Sequence, residues 1–145
     1  MIERASMDGN NRDVLHNTDL TWPNGLAIDY QLQRLYWADA FTDRIEYSSV
    51  DGTGREILLT VLTGVHHPFS ITVSGDQIYW SDWGNFTVYT AHKQSAISIL
   101  PVYENFLLPP NGIEAVDPDR QSTNSKTLIG VLIASLNVSF LYIIM

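Results

Sequence analysis

The chain has 145 residues, with 16 acidic side chains against 8 basic ones, four His and no Cys. That length holds one modest domain, and a formal charge of −8 argues against nucleic acid or an anionic lipid surface as a partner, since both need clustered Lys and Arg. The lack of Cys excludes a disulfide framework, a thiolate zinc site, an Fe–S cluster and a cysteine nucleophile. Every charged residue lies within 1–126, so an acidic segment of globular type is joined to an apolar tail.

In chain order, the predicted elements are short strands. Leu26-Ala27-Ile28 and Arg34-Leu35-Tyr36-Trp37 flank a polar turn. Arg44-Ile45-Glu46-Tyr47-Ser48 alternates and ends near Asp51-Gly52, a dipeptide that favours turns. Residues 56–62 form a more continuous apolar run, broken by Gly64 and Pro68. No segment before 127 sustains a helical period. The blocks also recur. Ile2 to Gly9 returns at Ile45 to Gly52, and Tyr36-Trp37-Ala38-Asp39 at Tyr79-Trp80-Ser81-Asp82, each 43 residues on. Trp22-Pro23-Asn24-Gly25-Leu26-Ala27-Ile28-Asp29 is echoed at 109–117 and, between them, at His67 to Val73. Four short strands in each such period mark one propeller blade.

Tyr-Trp-x-Asp, combined with Asp-Gly-x-x-Arg and Pro-Asn-Gly-Leu-Ala-Ile-Asp at these offsets, resembles the class B (YWTD) repeat of the low-density lipoprotein receptor family, which nidogens share. The resemblance covers residues 1–121 and implies an all-β fold, a partial six-bladed β-propeller of about two to three blades followed by an apolar C-terminal tail. It places the box on the second strand of each blade. Tyr36, Trp37, Tyr79 and Trp80 are then expected to pack between blades, and Asp39 and Asp82 to hydrogen-bond between strands or blades. Repeat-equivalent positions on separate blades make these two Asp an improbable catalytic pair. The chain opens at what would be a third strand, and Ile113 to Gln121 looks like the last strand of the propeller. A fragment or truncated product is therefore expected, with two open radial edges prone to pairing, and residues 1–121 alone are expected to be insoluble or molten.

Residues 122–145 divide into a polar linker and an uncharged run over 127–145, a candidate transmembrane tail of marginal length. Asn137 weakens that reading, and the β-branched content leaves a buried strand open. The competing readings are a membrane anchor, a sequence from an alternative exon or read-through, and a glycolipid-anchor signal that lacks its polar spacer. With Lys126 as the one nearby cation, the positive-inside bias conflicts with an extracellular propeller.

No nucleophile elbow, phosphate loop, zinc-protease motif or dinucleotide fingerprint is present, so no enzyme and no cofactor are expected. Binding remains. On a propeller plan, loops joining strands two to three and four to one share a face, which would carry Trp22, Phe41, Asp43, His66, His67 and Trp83. Trp83 suits a contact anchor, with packing on Pro68 or Phe86 as the competing reading. Asp19, Asp43 and Asp82 would suit a basic protein ligand, against a plain solvated surface. His66 and His67 could charge between pH 5 and 7; the family resemblance implies acid-triggered release, while neighbouring His are poorly placed to share a metal ion. Asn85-Phe86-Thr87 is a glycosylation sequon, and Asn137-Val138-Ser139 matches the pattern too. The expected role is ligand recognition on the extracellular face of a membrane, within an endocytic or signalling receptor. The alternatives are a nidogen-like matrix propeller and a non-functional truncation product.

Overall fold

The computed structural model describes residues 1–116, 130–134 and 141–144. Two four-stranded antiparallel sheets form its centre. The first runs β3 (Pro23–Asp29), β4 (Arg34–Asp39), β5 (Arg44–Ser49) and β6 (Glu56–Leu59), and the second β7 (Pro68–Ser74), β8 (Gln77–Asp82), β9 (Thr87–His92) and β10 (Leu100–Tyr103). Before them, β1 (Ile2–Arg4) pairs with β2 (Asp13–His16). The 43-residue repeat maps β1 onto the start of β5 and β2 onto β6, so this pair holds the third and fourth places of a preceding blade. The fold is an all-β partial propeller, with the Tyr-Trp-x-Asp boxes on β4 and β8, the second strand of each full blade.

The period-2 rule explains why the box needs two aromatics in succession. Adjacent residues of β4 point to opposite faces: Trp37 packs with Ile2 and Leu35 against the β1–β2 sheet, and Tyr36 turns towards the next blade. There it joins Ala38, Ile45, Leu59, Val65, Ile71, Ile78 and Trp80 in one core. The Tyr of one blade thus shares a core with the Trp of the next. Both Trp and Tyr36 are wholly buried, and truncating a side chain of this kind costs ~3–5 kcal/mol. Gly25 lets the innermost strands close up, because a Cβ there would lie 2.8 Å from the Ile71 backbone N and 2.9 Å from Ser70 Cα. The same two blades are pinned by a buried ion pair, Lys93 Nζ to Asp29 Oδ2 at 2.7 Å. Burial pushes the Asp29 carboxyl up, but Lys93 and the N–H groups of Leu32 and Gln31 outweigh it and hold the carboxyl below its ordinary value.

The third repeat of the innermost strand departs from expectation. β11 (Gly112–Val116) lies beside β7, where the Ile113 N–H donates to Ser70 Oγ (3.3 Å) and the Ala115 N–H to Thr72 Oγ1 (3.1 Å). Ile113 packs on Tyr79 and Val88. β11 is not the final strand: it heads a further sheet with β12 (Gly130–Ala134) and β13 (Leu141–Ile144). Part of the apolar tail is therefore strand, and among the described residues no helix is long and apolar enough to cross a membrane. The 122–126 linker and Asn137 lie outside the described residues.

Candidate protein-recognition face

Two buried carboxylates organise the loops on one face of the blades. Asp39, at the end of β4, accepts from the backbone N–H groups of Thr21 (2.8 Å), Trp22 (3.3 Å), Phe41 (3.1 Å) and Thr42 (3.1 Å). One side chain thereby clamps the loop entering the blade to the turn between its second and third strands. Asp82 does the same on the next blade, accepting from His66 N–H (2.7 Å) and Asn85 N–H (3.0 Å). Both Asp are fully buried. Burial pushes each carboxyl up, yet the N–H groups of Thr21, Thr42 and Trp22 bring Asp39 below its ordinary value, whereas with fewer donors Asp82 stays above it. The repeat-equivalent carboxyls are thus shifted in opposite directions by the balance of burial against the donors around them.

On this frame the predicted contact residues fall into a row. Trp22 meets Phe41 edge-on at 5.2 Å and His67 edge-on at 6.0 Å. His67 stacks on Trp83 at 5.8 Å, and Trp83 stacks on Phe69 at 4.2 Å. The row spans both full blades, and Trp22 and Phe41 are 50% and 60% exposed. Trp83 is more fixed: its indole N–H donates to the Pro110 carbonyl at 2.9 Å. Neither Pro68 nor Phe86 is its ring partner. Phe69, which sequence reasoning did not single out, is. Phe69 falls at the register shift between Pro68 and Ser70 in β7, the kind of bulge that re-aims a side chain.

The other candidates divide. His66 is exposed beside the row, its carbonyl accepting from Gly84 N–H at 3.0 Å. A Cβ on Gly84 would come within 2.6 Å of the His66 Cβ, so this turn admits glycine alone without displacing the loop. Asp43 accepts from His67 N–H at 2.7 Å and braces the row from below. Asp82 is occupied by backbone donors and buried, so it presents no charge to a ligand; of the three acids expected to attract a basic partner, Asp19 is the exposed one. Asn85 is exposed in the same turn, and the Thr87 hydroxyl of its sequon donates to the Asn85 carbonyl at 2.9 Å.

The profile of the low-density lipoprotein receptor repeat class B matches residues 1–30 and 33–73. The chain carries class B repeats of the low-density lipoprotein receptor family. It is 44% identical over 96 residues to vitellogenin receptor Yl of Drosophila melanogaster, covering 66% of this chain and 5% of that protein. To the human low-density lipoprotein receptor-related protein 5-like protein it is 46% identical over 95 residues, covering 66% and 37%. The class B chain thus spans a minor part of these relatives' lengths. Among solved structures, a nidogen/laminin complex superimposes with a TM-score of 0.75 at 26% identity, over 90% of this chain and 47% of that one. A luciferin-regenerating enzyme shares the fold at a TM-score of 0.65 and 14% identity, over 81% and 38%. At that identity it shows a common architecture and carries no activity across.

Proposed function

We propose that this chain is a protein-recognition module whose contact surface is the aromatic row Phe41–Trp22–His67–Trp83, and that it serves within a receptor facing the extracellular space. The observation that carries the reading is the row itself. Large rings line the loop face of two consecutive blades, Trp22 and Phe41 exposed and His67 and Trp83 half-buried, on backbone clamped by Asp39 and Asp82. Pre-ordered aromatic surface of this kind concentrates binding energy, because little side-chain entropy is lost on contact. The relatives bear receptor names, and the nidogen likeness comes from a complex with laminin; both favour a protein ligand. An apolar or aromatic anchor on the partner suits the row better than a basic one, since the acids below it are already engaged. Pairing of β12 with β11 favours a blade strand over a membrane span for residues 130–134.

Surface plasmon resonance of the immobilised chain against laminin and against vitellogenin tests this and separates a matrix role from a receptor role. Binding of either, weakened tenfold or more by Trp22→Ala and by Phe41→Ala, is the expected result. Affinity unchanged by both substitutions would remove the row from the contact surface. A glycan at Asn85 belongs to the same reading. In a secretory host the chain should carry one there, seen as a mass loss on enzymatic deglycosylation that Asn85→Gln abolishes.

A further inference from the structure

The turns that follow the two Tyr-Trp-x-Asp boxes share a backbone and differ in what they display. Asp43 (φ 52°) and Phe86 (φ 51°) both close their turns in the left-handed conformation, four residues after Asp39 and Asp82. The first turn, 40–43, lies between loops that carry rings: Ala40 N–H donates to the Trp22 carbonyl, and Asp43 accepts from His67 N–H. The second, 83–86, is bracketed in the same way one blade further on. On one side Gly84 N–H donates to the His66 carbonyl and Trp83 N–H to that of His67. On the other, the Phe86 carbonyl accepts from Phe106 N–H (3.3 Å), and the Trp83 indole reaches the Pro110 carbonyl.

Asn85 stands in this second turn. Its backbone N–H is held by the Asp82 carboxylate at 3.0 Å, and the residue is exposed. Thr42 takes its place in the first turn, where Thr42-Asp43-Arg44 is no sequon, whereas Asn85-Phe86-Thr87 is one. The surface around Asn85 is apolar. Phe86 is 39% exposed, and between the Phe106 and Pro110 anchors Leu107 and Leu108 are 97% and 49% exposed. An N-linked glycan is bulky and solubilising, and one attached here would cover apolar surface that the bare chain presents to water. Trp22 and Phe41 lie towards the far end of the row, Trp22 beyond His67 and Phe41 beyond Trp22.

We propose that a glycan on Asn85 divides the recognition face: it covers the Trp83 end together with Phe86, Leu107 and Leu108, and leaves Trp22 and Phe41 as the surface open to a protein ligand. This rests on the row being the contact surface and adds its regulation. Occupancy of one sequon then selects between two surfaces on one fold. The bare chain offers the whole row and the two leucines, the glycosylated chain the Trp22–Phe41 end. The frame beneath is the same in both, because the sugar attaches to the Asn85 side chain while the backbone N–H stays on Asp82.

The test compares glycoforms of the full chain, secreted from a host that adds high-mannose glycans. An Asn137→Gln background leaves Asn85 as the one sequon. Hydroxyl-radical footprinting, read residue by residue by mass spectrometry, sets the glycosylated chain against Asn85→Gln. Oxidation of Phe86 and Leu107 should be roughly threefold or more slower in the glycosylated chain, with Trp22 and Phe41 unchanged. Endoglycosidase H leaves a single sugar on Asn85 and should return Phe86 and Leu107 most of the way to the bare rate; that comparison decides should Asn85→Gln fail to be secreted. An unoccupied Asn85, equal rates at Phe86 and Leu107, or slowing of the same size at Trp22 and Phe41 overturns the proposal. Footprinting uses no ligand, so the two readings fail separately. Laminin and vitellogenin binding indifferent to Trp22→Ala and Phe41→Ala would remove the row and leave the shield, while an unchanged footprint would remove the shield and leave the row.

Discussion

Asp39→Asn separates the frame from the rings it carries. The carboxylate takes four backbone N–H donors: Oδ2 accepts from Thr21, and Oδ1 from Trp22, Phe41 and Thr42. An amide in the same rotamer keeps one acceptor. Placed at the Oδ1 position, it preserves three bonds and turns an NH2 group towards the Thr21 N–H. One charge-assisted bond is lost, at ~1.5–3 kcal/mol, and the others become neutral and weaker. A net loss of about 2–4 kcal/mol is expected, read as a lower urea midpoint with an unchanged slope.

The pH dependence supplies a second readout. The folded carboxyl lies below its ordinary value of 3.8, so its stabilisation is fully present above that value. It is lost as pH falls through the lower folded value. Asp39→Asn should therefore flatten the acid limb of the stability curve as well as lower its plateau. Asp82 has the opposite sign: its carboxyl is held above 3.8, so its contribution is fully present below that value and is lost as pH rises through the folded one. Asp82→Asn should accordingly show a smaller loss at pH 7. A stability of Asp39→Asn within ~0.5 kcal/mol of the parent at pH 7 would refute the clamp, since surface substitutions reach that size unaided.

Two further substitutions test the blade contact. Gly25→Ala inserts a methyl against Ile71, Ser70 and Phe69 backbone that has no side chain to move aside, and should cost ~1–3 kcal/mol by overpacking in the same urea titration. Lys93→Met leaves Asp29 buried without its cation and should cost ~3–5 kcal/mol at pH 7, with Asp29→Asn/Lys93→Met recovering much of the loss. Because Lys93 is the foremost group offsetting the burial of Asp29, the Lys93→Met deficit should be full at pH 7 and shrink as acid protonates the uncompensated carboxyl.

Which features were legible in the sequence follows from which are periodic. The Tyr-Trp-x-Asp box recurs because each blade must fill two interfaces and clamp one loop, so its burial and its strand were readable from a shift of 43 residues. The row of Trp22, Phe41, His67 and Trp83 could be placed on one face from loop order alone. Its geometry could not. Phe69 joins it at a register shift that β3 also has between Pro23 and Gly25, but the residue there is Asn24, so the repeat did not point to an aromatic; and Asp43 proves to be a brace for His67. Lys93 follows β9 at the place Val50 holds in the previous repeat, so its pairing with Asp29 belongs to a single interface and left no periodic trace. The tail is ambiguous for a related reason: an uncharged run of β-branched residues reads equally as a membrane segment or as buried strand, and choosing between them takes tertiary contacts such as the pairing of β12 with β11.

The departures from the repeat show where this chain is free to vary. Arg12 pairs with Glu3, and 43 residues on Arg55 pairs with Glu46. Arg55 also lies over the Trp37 ring at 5.3 Å and donates to the carbonyls of Thr18 and Asp19 (2.7 and 3.0 Å). The loop that delivers Trp22 is therefore held from behind by Arg55 and from below by Asp39. In the next blade Glu46 is replaced by Tyr89 and Arg55 by Ser98, and Tyr89 stacks on Trp80 at 5.5 Å. An aromatic contact there takes over the cover that the ion pair gives Trp37. The loop of that blade, released from an arginine tie, is held by Asp82, by the capped turn at Thr60–Gly64 and by the close fit of Gly84 on His66. Two unlike means of support end in the same backbone hydrogen bond, Ala40 N–H to Trp22 O at 3.0 Å and Trp83 N–H to His67 O at 3.1 Å. Equivalent backbone then carries Trp22 in one blade and His67 in the other, with Phe41 standing where the next blade has Gly84. On the proposed reading, a face built this way would change its ligand by exchanging rings while the clamps beneath stay fixed, which would put specificity in Trp22, Phe41, His67 and Trp83 and stability in Asp39 and Asp82.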